Sequence, residues 1–177
     1  MLKIYSIMFV GPGGAGKTSI LKMMRDDIKL PSNMTIGVDI DAFWIKERDS
    51  AVLVYDFGGQ RQFRDVVETL LRKTNLIVLV FDAVRPATID ELYSWYKLVK
   101  AKFPDVPILL VMNKIDLLPT IDLKLIEPIM RDPKVVNFVE TTIKDKSTIE
   151  ELKSEINKQL FALECVYAHN CEAENSK

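Results

Sequence analysis

Residues 5–24 read "YSIMFVGPGGAGKTSILKMM", and little else in the chain leaves so few ways to fold. An apolar, strand-like run enters a glycine-rich turn, and the turn leads directly into a helix-like segment. The turn is Gly11-x-x-x-x-Gly16-Lys17-Thr18, the pattern of a phosphate-binding loop in the context that such a loop requires. Its glycines let successive backbone N–H groups, over Gly11, Gly13, Gly14, Ala15 and Gly16, turn inward around an anion. The helix that begins at Lys17, Thr18 and Ser19 adds its N-terminal dipole. Lys17 can reach β- and γ-phosphates, and the Thr18 hydroxyl can ligate Mg²⁺. A plain glycine-rich turn is the bland alternative. From residue frequencies the pattern arises by chance in roughly one chain in 150 of this length, and the flanking strand and helix make chance rarer still.

The rest of the chain continues the same alternation. Apolar runs cover 3–10, 51–56, 76–82, 107–112 and 135–139. Helical periodicity covers 17–26, 61–73, 88–103 and 147–163. The last carries one apolar stripe, Ile149, Leu152, Ile156, Leu160 and Leu163, behind a capping box at Ser147-Thr-Ile-Glu150. Strands alternating with helices predict an α/β fold: a six-stranded, mostly parallel sheet with helices on both faces. The exception is "VDIDAFWIK", 38–46. It reaches 51–56 through the short turn "ERDS", which permits only an antiparallel edge hairpin.

No linker divides the chain. Its 177 residues, 48% of them hydrophobic, suit one domain that buries roughly 70% of the unfolded surface. That domain is expected over 1–163, with 164–177 as a flexible polar tail containing His169, Cys165 and Cys171. The two cysteines do not make a disulfide framework and suit a reducing, cytoplasmic setting. A formal net charge of -1 favours neither nucleic acid nor an anionic membrane. The longest apolar runs, "LIVLVF" and "PILLVM", are far short of the roughly 20 residues of a membrane helix. With Leu2 where myristoylation needs glycine, and "NCEAENSK" unlike a prenylation box, neither lipid anchor is expected.

In open α/β sheets, ligands bind beyond the carboxyl ends of the strands. Two polar strand exits stand there. "VYDFGGQ", 54–60, ends one strand, and "MNKIDL", 112–117, ends another. Asn113-Lys114-x-Asp116 is a weak signal by itself, matched by chance in roughly one chain in 40. Downstream of a phosphate loop it means more. Guanine presents two adjacent donors, N1–H and the 2-amino group, and an ionised carboxylate accepts both. Adenine has no donor at N1, so Asp116 selects guanine on this reading.

Together these segments resemble the Ras superfamily of small GTPases over about residues 3–163. "GPGGAGKT" is the phosphate loop. "TIGVD", 35–39, resembles the first switch of Ras and Rab proteins. "DFGGQ", 56–60, is similar to the D-x-G-G-Q second switch of Arf and Gα proteins. "NKID" is the guanine motif, and "ETTIK", 140–144, resembles E-T-S-A-K. The resemblance implies a P-loop NTPase fold that binds GTP or GDP with Mg²⁺. It places Thr18, Thr35 and Asp56 at the metal, Asp56 through a water. Gly59 N–H and Thr35 N–H would meet the γ-phosphate, and Gln60 would orient the attacking water, with Lys17 and Thr35 also serving hydrolysis. Lys114 would pack along the base, and the backbone of Thr142, Ile143 and Lys144 would close over it.

The same resemblance implies a molecular switch read by effectors and reset by GTPase-activating and nucleotide-exchange proteins, with any membrane contact made through such partners. Gly13, next to the γ-phosphate, leaves hydrolysis unobstructed. No arginine finger is supplied in cis, so unaided hydrolysis is expected to be slow. Two alternatives stand beside this reading. One is a module that senses GTP but barely hydrolyses it, controlled by dimerisation or partners. The other is a P-loop kinase or ATPase, against which "NKID" argues. Ile40, Trp44, Tyr55 and Leu71 lie between and beside the switches, and fit either ordinary core or an effector-facing surface.

Overall fold

The computed structural model describes residues 3–24, 38–45, 50–57 and 74–174, with side chains over 3–24, 50–55 and 74–162. Strand β1, Lys3–Val10, is followed by helix α1, Lys17–Met24, and then by β2, Val38–Ile45, and β3, Ser50–Phe57. Strand β4, Leu76–Asp82, helix α2, Ile89–Lys102, and β5, Ile108–Asn113, come next. The short helix α3, Glu127–Met130, strand β6, Val135–Thr141, and helix α4, Lys146–Glu174, complete the order.

The strands form one sheet in the order β2-β3-β1-β4-β5-β6. Strands β3, β1, β4, β5 and β6 run parallel, whereas β2 pairs antiparallel with β3. The expected α/β architecture is therefore observed. The helix read over 61–73 lies outside the described residues. Helix α4 runs past 163 to Glu174, because 164–174 contains neither glycine nor proline to end it.

The two faces of the sheet bury separate cores. On one, Ile7 and Phe9 of β1, Val78 and Val80 of β4 and Leu109 and Val111 of β5 pack under α1 and α4. Helix α1 contributes Ile20, Leu21 and Met24. Helix α4 contributes Ile149, Leu152, Ile156 and Leu160, all fully buried. On the other face, Met8, Ile77, Leu79, Phe81, Leu110 and Met112 meet Leu92 and Val99 of α2. Strand β4 is buried along its whole length. An apolar run without alternation is what a central parallel strand covered on both faces requires.

This order positions the site. From β1 the chain passes to one side, through α1 to β2 and β3, and then crosses back over β1 to β4. The crevice at such a reversal lies beyond the carboxyl end of β1, where Gly11 begins the glycine-rich loop. Register brings further polar residues alongside. Asp82 pairs with Asn113 across β4 and β5, and Asn113 pairs with Thr141 across β5 and β6. Three adjacent strands thus end in one polar row. On the other flank, Asp56 of β3 stands opposite Phe9 of β1.

Candidate nucleotide-binding site

The loop between β1 and α1 is held by its carbonyls. The Lys17 ammonium, on a residue only 5% exposed, donates to Gly11 O at 2.9 Å and to Pro12 O at 3.0 Å. Arg85 Nη2 donates to Gly13 O at 2.7 Å, and Lys114 Nζ to Gly14 O at 2.8 Å. Asn113 Nδ2 donates to Ala15 O at 2.8 Å. In a trans peptide the carbonyl and the following N–H point opposite ways. With Gly13 O held by Arg85 and Ala15 O by Asn113, the N–H groups of Gly14 and Gly16, in the same two peptides, turn the opposite way, toward the concave side of the loop. Such a nest, backed by a helix N-terminus, is an anion site.

Gly16 is required by packing as well as by backbone conformation. Its φ is +94°, and a Cβ there would stand 2.3 Å from Asn113 Nδ2. A Cβ at Gly13, by contrast, would meet nothing within 4 Å.

A second tier fixes those donors. Asp82 is fully buried and accepts from Lys114 Nζ at 2.6 Å, Arg85 Nε at 2.7 Å and Val84 N–H at 3.0 Å. Burial pushes its carboxyl up. The donors from Lys114, Val84 and Arg85 outweigh this and hold it below the ordinary carboxylate range, so Asp82 is ionised at neutral pH. Thr141 Oγ1 donates to Asn113 Oδ1 at 3.1 Å and orients that amide. Lys114 has φ +68°, a left-handed conformation uncommon for a non-glycine residue. It lets the chain turn sharply after β5, with Leu117 N–H donating to Lys114 O at 3.0 Å.

Asp116 lies within that turn. It accepts from Thr142 Oγ1 at 2.5 Å and pairs with Lys144 Nζ at 2.8 Å. The bonds from Lys144 and then Thr142 hold its carboxyl below its usual value. The segment after β6 is itself pinned. Thr148 Oγ1 donates to Thr142 O at 3.0 Å, and Thr142 N–H donates to Thr148 Oγ1 at 3.0 Å. Ile143 and Lys144 are exposed at the mouth.

The structure therefore brings together Gly11, Gly13, Gly14, Ala15, Gly16, Lys17, Thr18 and Ser19 with Asn113, Lys114, Asp116, Thr142, Ile143 and Lys144. Thr35, Gly59 and Gln60 lie outside the described residues. Asp56 is described by its backbone alone, at the carboxyl end of β3. The sequence reading missed Asp82, Arg85, Thr141 and Thr148. Asp82 left one trace: a lone acid closing the otherwise apolar run "LIVLVFD". The Thr18 hydroxyl, at the start of α1, is an oxygen donor of the kind that suits a hard cation such as Mg²⁺. Among the described residues, no three His, Cys, Asp or Glu side chains gather to hold a metal.

Comparison with known proteins bears on this geometry. The family model Roc, Ras of Complex, Roc, domain of DAPkinase, matches residues 6–116, well over half of the chain. The chain is 26% identical over 168 residues to Ras-related protein Rab-32B of Dictyostelium discoideum, covering 89% of this chain and 65% of the relative. It is 26% identical over 169 residues to Ras-related protein RABA1b of Arabidopsis thaliana, covering 90% and 76%. It is 31% identical over 114 residues to Ras-related protein Rab-12 of Homo sapiens, covering 62% and 47%. The chain thus spans less than two thirds of the length of Rab-32B and of Rab-12. Among the described residues no helix is long and apolar enough to cross a membrane. With the Roc match spanning the phosphate loop and the N-K-x-D turn that the structure joins, the chain belongs to the Ras superfamily of small GTPases.

Proposed function

We propose that this chain is a GTP-binding and GTP-hydrolysing switch of the cytoplasm, cycling between Mg-GTP and GDP states that partner proteins read. One observation carries the reading: Asn113 and Lys114 are bonded to the carbonyls of Ala15 and Gly14. A base reader and a phosphate cradle are thereby one rigid unit. Asp116, ionised and held by Lys144 and Thr142, offers guanine an acceptor-only edge. Guanine would compete with the Lys144 ammonium for it, or share it, since a carboxylate has about four acceptor positions.

In this mechanism the loop N–H groups and Lys17 hold the phosphates and offset charge that develops as the γ-phosphoryl leaves. Thr18, Thr35 and Asp56 would hold Mg²⁺, which would supply neutralisation of phosphate charge when bound. Gln60 orients the attacking water, and Gly59 N–H and Thr35 hold the γ-phosphate. Losing that phosphate releases both segments, and effectors, activating proteins and exchange proteins sense the change. Unaided hydrolysis is slow, because the segment "DDIKLPSNM", 26–34, carries no arginine to serve the transferred phosphoryl group in cis.

The test is equilibrium binding of GDP, XDP and ADP to the wild-type chain and to Asp116→Asn, with phosphate release measured in parallel for Gln60→Leu. Wild type should prefer GDP. Asp116→Asn should weaken GDP by about 10⁴-fold and favour XDP, since Asn offers one acceptor and donors that oppose guanine's amino group. Gln60→Leu should slow hydrolysis by about 10-fold or more while GTP still binds. A mutant at position 116 that still prefers GDP would remove Asp116 from base recognition. Unchanged hydrolysis in Gln60→Leu would leave a GTP sensor rather than a GTPase.

A further inference from the structure

The geometry points to Arg85 as a positioning residue of the phosphate loop, locked by buried Asp82 so that it sets the Gly13–Gly14 peptide for the β-phosphate. The inference rests on the nucleotide-binding reading above. Neither residue belongs to the sequence motifs from which that reading was built.

Arg85 follows β4 and reaches across the crevice. Its Nε donates to Asp82 Oδ2 at 2.7 Å, and its Nη2 donates to Gly13 O at 2.7 Å. One rigid guanidinium thus spans a fully buried carboxylate and a loop carbonyl. Fixing Gly13 O on the outside turns the N–H of Gly14, in the same planar peptide, to the inside. The approach is close on the loop side too. Gly14 has φ +72°, and a Cβ there would stand 3.1 Å from Arg85 Nη2. A larger residue would push the guanidinium away or strain the loop.

Asp82 gives the arrangement its direction. It also accepts from Lys114 Nζ, which holds the next carbonyl, Gly14 O. A single carboxylate therefore aligns two cations on two successive loop carbonyls. A donor charge outside polarises each peptide, and its N–H becomes a better donor on the side where phosphate binds. The two cations differ in reach. Lys114 belongs to the base-reading turn, whereas the Arg85 guanidinium, among the described residues, bonds the loop and Asp82. Removing Arg85 should therefore impair phosphate recognition and spare base recognition.

The experiment measures binding of GDP, GMP and IDP to the wild-type chain, Arg85→Met and Arg85→Lys. GMP lacks the β-phosphate, and IDP lacks the guanine amino group. In Arg85→Met the preference for GDP over GMP should fall about 10-fold, the worth of a charge-assisted bond, while the preference for GDP over IDP stays put. Arg85→Lys keeps an ion pair with Asp82 but cannot span both acceptors, so its GDP-to-GMP ratio should lie between the other two. That variant decides the matter if Arg85→Met does not fold. An unchanged GDP-to-GMP ratio in the folded variants, or equal loss of both preferences, overturns the role given to Arg85. A wild-type chain that binds none of the three nucleotides overturns the nucleotide reading itself, and this inference with it.

Discussion

Two glycines of one loop carry opposite burdens. At Gly16 a methyl group would collide with the Asn113 amide and sit at a φ of +94°; at Gly13 it would meet nothing within 4 Å. Gly16→Ala must move the amide that holds Ala15 O and adopt a strained backbone, a cost of about 1–3 kcal/mol or more. Gly13→Ala should change stability by no more than about 0.5 kcal/mol. Thermal denaturation of the two variants checks this. Gly16→Ala should melt several degrees lower and lose GDP, and Gly13→Ala should melt within about 2 °C of wild type. A reversed order would mean that the loop is not packed as described. Any effect of Gly13→Ala on hydrolysis would then report on the ligand's space and not on the fold.

The same scale shows what a motif can convey. Gly16, Lys17, Asn113 and Asp116 were legible because phosphate and guanine dictate both residue type and spacing. Asp82 and Arg85 were not, because Arg85 bonds a loop carbonyl and Asp82, and Asp82 bonds Lys114 and a backbone N–H, and the ligand's own pattern dictates none of these bonds. A carbonyl imposes no residue pattern on the sequence, so only the folded arrangement, with Arg85 bonded to both Asp82 and Gly13 O, reveals the pair.

Between elements, the same kind of contact fastens α2 to the turn after α3. Tyr96 and Lys100, one turn apart on α2, both donate to Asp132 Oδ2. The Lys134 N–H donates to its other oxygen at 2.8 Å. These bonds, Lys100 first and Tyr96 second, depress the Asp132 carboxyl from 3.8 to about 2. Its folded value lies below its unfolded one, so the stabilisation is complete above 3.8 and is lost as pH falls toward 2. Asp132→Asn should therefore unfold at lower urea than wild type at pH 7, and the gap should narrow only below about pH 4. A gap that stays constant down to pH 3 would show that packing, and not the charge, ties α2 to this turn.

Helix α4 was the most legible element. Of its stripe, Ile149, Leu152, Ile156 and Leu160 are fully buried against the sheet, as a 3.6-residue period demands, and the Leu163 side chain lies outside the described residues. Its end was not legible, since composition alone made 164–174 look like a tail whereas its lack of helix breakers lets the helix continue. Ile156→Ala removes a side chain with 0% exposure and should cost about 2–5 kcal/mol. Urea denaturation gives the value, and a cost under 1 kcal/mol would mean that the site collapses around the gap.

For the whole molecule, the sheet order matters more than any element. The alternation of strands and helices predicted an α/β sheet, but it did not reveal which strands lie side by side. That order follows from the crossover past β1, which brings four carboxyl ends, of β1, β4, β5 and β6, around one crevice. Residues 5–24 and 112–117 are distant in sequence, yet Asn113 and Ala15 are bonded at 2.8 Å. A nucleotide placed there would touch groups from separate strands at once. Unfolding would scatter all of them, so the ligand should bind the folded chain alone. Mass action then adds RT ln(1 + [L]/Kd) to stability, about 2.7 kcal/mol when free GDP is 100 times its Kd. For a chain of this size that is roughly 5–11 °C in melting temperature. Melting should therefore rise steadily with GDP concentration and stay flat with ADP over the same range. The Asp116→Asn chain should respond to XDP instead. Melting that ignores GDP at saturating concentrations would show that GDP does not favour the folded chain, and that these four strand ends do not form its site.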